Sequence, residues 1–270
     1  MAPTAREVSR ADVPKPAASS DPFEIIRGLA KSAYEGDGRA QFTVARELDK
    51  CELTLSVVRK SGDPEAAIWG FANWTQAMKE WSIAEYRRCI RLVKEDPFAD
   101  LPPRAGGYTF RYWRERSAEA GYPLAVAERS LAGLAAPLPG LPANPKTRAN
   151  ALGELTQAAV SGDPDVALTI GFRQFHSDNE VRFTSSAAWM LAACRLGADC
   201  SSSSNVVPFH MCYDPDFPNC ATDSNVEQMV SLALGPAKHA DAYSQSQAIE
   251  EALRSRDDAA LKPLLERLTN

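Results

Sequence analysis

The residues with the clearest chemical potential are six cysteines: Cys51, Cys89, Cys194, Cys200, Cys212 and Cys220. Their number is even, and the last four fall within 27 residues, beside Ser201–Ser204 and the proline-rich YDPDFPNC. That stretch holds few large apolar side chains, so burial cannot offset the entropy of ordering it and another restraint is needed. Disulfides supply such a restraint, about 2–4 kcal/mol each, and they persist in oxidising compartments. Cys51 and Cys89 continue the apolar stripes of neighbouring helices and are expected to pair. The other four allow three pairings; Cys194 is expected to join Cys200 or Cys212, with Cys220 closing the other loop.

Other reactive constellations are sparse. The three histidines, His176, His210 and His239, are too loosely spaced to form a metal-binding pair on one helical face. His210, Met211 and Cys212 come nearest to a soft-metal cluster, and His210 with Cys212 nearest to a nucleophilic pair, but no third group orients them. Neither a G-x-S-x-G elbow nor a glycine-rich phosphate loop occurs. His176, Asp178 and Glu180 read as a polar capping loop. No catalytic residue, cofactor or metal site is therefore assigned. Two aromatic concentrations point instead to contact surfaces. Trp69, Phe71, Trp74, Trp81 and Tyr86 form the first, and Tyr108 to Arg114 the second. Arginine among tryptophan and tyrosine is the composition of protein-binding hot spots. Tyr108, Arg111, Trp113, Arg114 and Trp74 are the candidate partner-binding residues, with interhelical packing as the competing role for the tryptophans.

The 270 residues carry a net charge of −5, which argues against a nucleic-acid surface. No apolar run reaches the ~20 residues that span a bilayer. Residues 1–20 contain three prolines and no apolar periodicity, and read as a disordered leader. They lack the apolar core of a secretory signal. That fits either a cytoplasmic protein with a loose tail or an exported one whose signal has been removed. The cysteines favour export, to the periplasm or beyond.

The elements that must position these residues announce themselves through a shared turn: GDGRA at 36–40, GDPEA at 62–66, GYPLA at 121–125 and GDPDV at 162–166. In three of them an alanine stands three residues before the glycine: Ala33/Gly36, Ala118/Gly121 and Ala159/Gly162. The glycine suits a left-handed helix end. Asp63 or Asp163 can then cap the next helix, with Pro64 or Pro164 at its first position. Asp21-Pro22-Phe23-Glu24 has the same logic, with Glu24 placed for a capping box. Stripes such as Val44/Ala45/Leu48/Cys51 and Tyr86/Cys89/Ile90/Val93 follow helical spacing, and strand alternation is absent. The pattern predicts helices over 22–35, 39–51, 63–79, 82–95, 108–120, 123–134, 147–160, 164–176, 180–196, 224–234, 243–255 and 258–268. Residues 96–107 read as a Pro/Gly loop. Residues 135–146, with four prolines, read as a stiff linker between an N-terminal helical half (21–134) and a C-terminal half (147–270) that contains a cysteine-rich loop, 197–223.

The motif A-x-x-G-D/Y-x-x-A at a helix–helix turn resembles the SEL-like repeat, a relative of the tetratricopeptide repeat. SAYEGDGRAQFTVAREL and RSAEAGYPLAVAERSL carry the resemblance best, QAAVSGDPDVAL and KSGDPEAA more loosely. The turn glycines lie 26, 59 and 41 residues apart, so the repeat is degenerate or interrupted. The stretch from WMLAACRLGADC onward resembles the ends of uncharacterised exported proteins of Gram-negative bacteria. The repeat resemblance implies an all-α fold of antiparallel helix–turn–helix units in a short α-solenoid, here with a disulfide-stapled loop, and a non-catalytic scaffold that binds a protein partner. An immunity or antitoxin-like inhibitor is one form of that function. The alternatives are a periplasmic or secreted hydrolase with its site in the C-terminal half, and a structural component of an envelope assembly.

Overall fold

A computed structural model describes residues 21–58, 63–72, 76–105, 107–134, 145–174, 180–201 and 225–269. The leader, the linker up to residue 144, the turn glycine Gly62, Trp74, His176, His210, Cys212 and Cys220 lie outside the described residues. Every regular element that is described is a helix, as expected: α1 (Pro22–Tyr34), α2 (Gly38–Val58), α3 (Pro64–Trp69), α4 (Gln76–Cys89), α5 (Arg91–Lys94), α6 (Phe110–Glu119), α7 (Pro123–Leu134), α8 (Pro145–Val160), α9 (Pro164–Gln174), α10 (Glu180–Arg195), α11 (Val226–Ser255) and α12 (Asp258–Thr269).

The shared turn has the predicted chemistry. Gly36, Gly121 and Gly162 all have positive φ (106°, 76° and 74°). At Gly36 and Gly121 the backbone closes in the same way, with Gly36 N–H donating to Ala33 O and Asp37 N–H to Ser32 O, then Gly121 N–H to Ala118 O and Tyr122 N–H to Ser117 O. The aspartate after the glycine caps the next helix: Asp37 accepts from the N–H groups of Arg39 and Ala40, and Asp163 from that of Asp165. A further turn of this kind joins α11 to α12. There Arg256 takes the glycine's place at φ 53°, Asp257 N–H donates to Ala252 O, and Asp257 caps Ala260. The sequence motif does not reveal this turn because the glycine is absent.

Two of these turns are in direct contact. Ser117 donates its hydroxyl to Gly38 O at 2.6 Å, and the Phe42 and Tyr122 rings lie 5.4 Å apart. Burial and the charges of Asp163 and Asp165 push the Tyr122 hydroxyl up from its ordinary value. Burial, Asp163 and the more distant Asp199 do the same to Asp165. The turns at 36–38 and 120–122 are therefore in packing contact, and the charges of Asp163, Asp165 and Asp199 lie within electrostatic reach of them or of each other.

Several boundaries differ from the pattern. The predicted 39–51 helix runs on to Val58, because Leu55 is buried with Ile68 and Ile83 of the following helices. The predicted 63–79 helix stops at Trp69, where Gly70 ends it. The predicted 82–95 helix breaks at Ile90, so Val93 is exposed and leaves the stripe that buries Cys89. Glu24 does not fold back as a capping box; Arg91 takes it at 2.6 Å, while Asp21 caps the Phe23 N–H. Residues 226–255 form one element with a kink: Gly235 is non-helical (φ 71°, ψ 172°) and Pro236 restarts the helix. A reciprocal capping box between Asn225 and Gln228 opens it.

The largest core joins α7 to α8–α12 and so crosses the 135–146 boundary. At its centre is α10, whose run from Ala187 to Ala193 is buried throughout. A helix apolar on all sides must be enclosed, and α10 is flanked by α9, α11 and α12. A second core packs Ile26, Ala30, Ala33, Val44, Phe98 and Trp113 between α1, α2 and α6. A third, smaller cluster joins α2 to α3 and α4 around Cys51 and Cys89.

Candidate functional site

The nominated residues divide into core, clamp and surface. Trp113 is 0% exposed and packs against Phe98 and Tyr108, its ring stacked on Tyr108 at 5.4 Å. It fills the second core and cannot touch a partner, which corrects its assignment. Arg114 is half-buried and binds Asp49 of α2 at 2.8 Å and Glu128 of α7 at 3.3 Å. It is a clamp between three helices, with 28% of its side chain still exposed. Both side chains turn inward because α6 is sandwiched between α2 and α7. Trp74 lies outside the described residues.

Tyr108 and Arg111 remain at the surface. Tyr108 is half-buried and donates its hydroxyl to Pro102 O at 2.7 Å. Desolvation, with Tyr34 and Tyr112 nearby, pushes that hydroxyl up from its ordinary value. Arg111, one turn further along α6, is exposed and makes no ion pair with a described residue. Beside Tyr108 runs a trough of about 360 Å3 between α1 and the 96–107 loop, lined by Arg27, Lys31, Tyr34, Pro97, Leu101 and Pro102. The loop is internally tied: Asp96 caps the Phe98 N–H, Arg104 donates to Gly107 O, and the Arg104 guanidinium stacks over Tyr112 at 3.8 Å. Such bonding pre-orders the loop and lowers the entropic cost of binding at it. Neither Tyr34, 45% exposed, nor Arg104 stands out in the sequence. Tyr34 sits inside the repeat motif itself, and Arg104 lies in a loop with no adjacent aromatic residue. The proximity of Tyr34 to Tyr108 exists only in three dimensions.

The cysteine chemistry is clear where it is described. Cys51 and Cys89 form a disulfide with Cα atoms 5.4 Å apart, as expected, and Cys194 pairs with Cys200, one of the two alternatives. Val226 N–H donates to Cys200 O at 3.1 Å, so the two ends of the intervening cysteine-rich segment meet. Beside Cys51–Cys89 lies a buried ion network in which Arg88 binds Glu47 at 3.1 Å and Glu85 at 3.0 Å, and Lys50 binds Glu47. Burial works to raise the Glu47 carboxyl, but Lys50 and Arg88 outweigh it and hold it below its ordinary value. Among the described residues, no group of three His, Cys, Asp or Glu side chains is placed to share a metal ion. No described helix is long and apolar enough to cross a membrane.

Comparison with protein-family models, curated proteins and solved structures finds no match to this chain.

Proposed function

We propose that this chain is a non-catalytic scaffold of degenerate SEL-like helical hairpins that binds, and by binding blocks, a protein partner in the periplasm or outside the cell, in the manner of an immunity or antitoxin-like protein. The observation that carries this reading is the recurrent hairpin turn. A positive-φ glycine ends the first helix of the hairpin at Gly36, Gly121 and Gly162, and the first two of these turns pack against each other. Hairpins stacked in register form the extended surfaces on which repeat proteins bind partners. The disulfides Cys51–Cys89 and Cys194–Cys200 suit an oxidising compartment. The surface favoured for contact is the trough beside Tyr34 and Leu101, with Tyr108 at its margin, and the exposed Arg111 on the neighbouring α6. An exposed tyrosine and prolines, with Arg27, Lys31, Glu35 and Asp100 around them, supply aromatic anchoring with a rim of mixed charge.

The test is affinity capture from a native cell-envelope extract in mild salt, using the oxidised chain and a Tyr34→Ala/Tyr108→Ala/Arg111→Ala variant. A single protein retained in stoichiometric amount by the first and lost by the second supports the reading. Retention of no protein, or of the same protein by both, counts against it.

A further inference from the structure

We propose that Cys51–Cys89 is a redox latch on a separately opening unit formed by the end of α2 with α3 and α4. The disulfide joins α2 to the last residue of α4 across 38 positions, and both cysteines are almost completely buried. Among the described residues, the cluster around it consists of Cys51, Leu55, Ile68, Ile83 and Cys89, so the latch is itself a central part of the packing. Among the described residues, neither of the other two cores draws a buried apolar side chain from α3 or α4. The principal contacts of α3 and α4 are with α2 and with each other, with a lesser contact to α1. Beyond the disulfide cluster, α4 is tied back to α2 by the ion pair of Arg88 with Glu47, while α5 is tied to the first core by Arg91, which pairs with Asp21 and Glu24 and stacks over Phe23, and by Leu92. Loss of the latch thus leaves the α1–α2–α6 core and the α7–α12 core with all their own side chains.

The reductant is a dithiol, either a small molecule or a thioredoxin-class protein. Its thiolate attacks one cysteine sulfur, the S–S bond breaks, and the other cysteine leaves as a thiolate that takes up a proton. The second reductant thiol then displaces the first cysteine and closes its own disulfide, so that two electrons pass to the chain. Because the sulfurs are buried, attack requires the unit to open first. Cys194–Cys200, only half-buried at the end of α10, is therefore reduced first.

The test is amide hydrogen exchange read by mass spectrometry on the full chain, comparing the native protein with Cys51→Ser/Cys89→Ser and with Cys194→Ser/Cys200→Ser. Closing a loop of this length restricts the open chain by about 10²–10³-fold. Exchange over 64–89 should accelerate by that order in the first variant, while 110–134 and 180–195 keep native protection. The second variant should leave 64–89 unchanged. Native protein treated with dithiothreitol after folding loses Cys194–Cys200 as well, but should show the first variant's acceleration over 64–89, which guards against failure of that variant to fold. Unchanged exchange over 64–89 after reduction would overturn the proposal. So would loss of protection throughout the chain, which would make the disulfide part of one cooperative unit.

Discussion

Gly171 marks the closest approach of α9 to α10, and replacing it with alanine separates two opposing effects. A Cβ at this position would lie 2.6 Å from Met190 Cγ, 2.7 Å from Ser186 O and 2.9 Å from Met190 N. Two of those atoms are backbone of the enclosed helix α10, so no side-chain rotation relieves the clash and the two helices must move apart. Overpacking costs about 1–3 kcal/mol, and a clash with two backbone atoms falls in the upper part of that range, about 2–3 kcal/mol. Alanine gains about 1 kcal/mol over glycine in a helix interior, so the net loss for Gly171→Ala should be about 1–2 kcal/mol. Gly28 in α1 and Gly153 in α8 are exposed, and a methyl group added at either would have nothing within 4 Å. The same substitution there should stabilise by up to about 1 kcal/mol. Urea unfolding followed by far-ultraviolet circular dichroism gives all three values with one assay. A Gly171→Ala protein as stable as the native chain, or stabilised like the other two, would refute the packing of α9 on α10.

Arg256→Gly should stabilise by about 1 kcal/mol, because the position is left-handed and a side chain there is strained; an unchanged or lower urea midpoint would contradict the turn geometry. Trp113→Ala should cost about 3–5 kcal/mol as a core deletion, whereas a contact residue would leave the midpoint unmoved. Glu47→Gln should cost about 1–3 kcal/mol at neutral pH by weakening its bonds to Arg88 and Lys50. Because the folded carboxyl titrates below the ordinary value of 4.5, its contribution is present above that pH and fades as pH falls through the lowered value. The native stability–pH curve should therefore be steeper than the variant's below pH 4.5, and parallel curves would refute the network.

Local chemistry was legible wherever one residue type has one physical role. Positive-φ glycines, aspartate caps and first-turn prolines marked α2, α7 and α9, and the apolar stripes that Cys51 and Cys89 continue pointed to their pairing. The turn at Arg256 was not legible, because packing there overrides the residue's backbone preference. Nor was the fate of the FRYWRER segment. Its composition suits a binding surface, yet α6 lies between α2 and α7, which turns Trp113 into core and Arg114 into a clamp. Composition does not say which face of a helix meets a neighbour when both faces carry aromatic and charged side chains. The trough joins Tyr34 to Leu101 and Pro102 across more than sixty residues, a juxtaposition set by tertiary packing alone.

The claim that this chain binds a protein through the trough is tested most directly by capture from native envelope extract with the oxidised chain and its Tyr34→Ala/Tyr108→Ala/Arg111→Ala variant, both first shown to have the same helical content. The native chain should retain one stoichiometric protein, and the variant should lose it. An empty native chain, or a protein held equally by both, would contradict the claim.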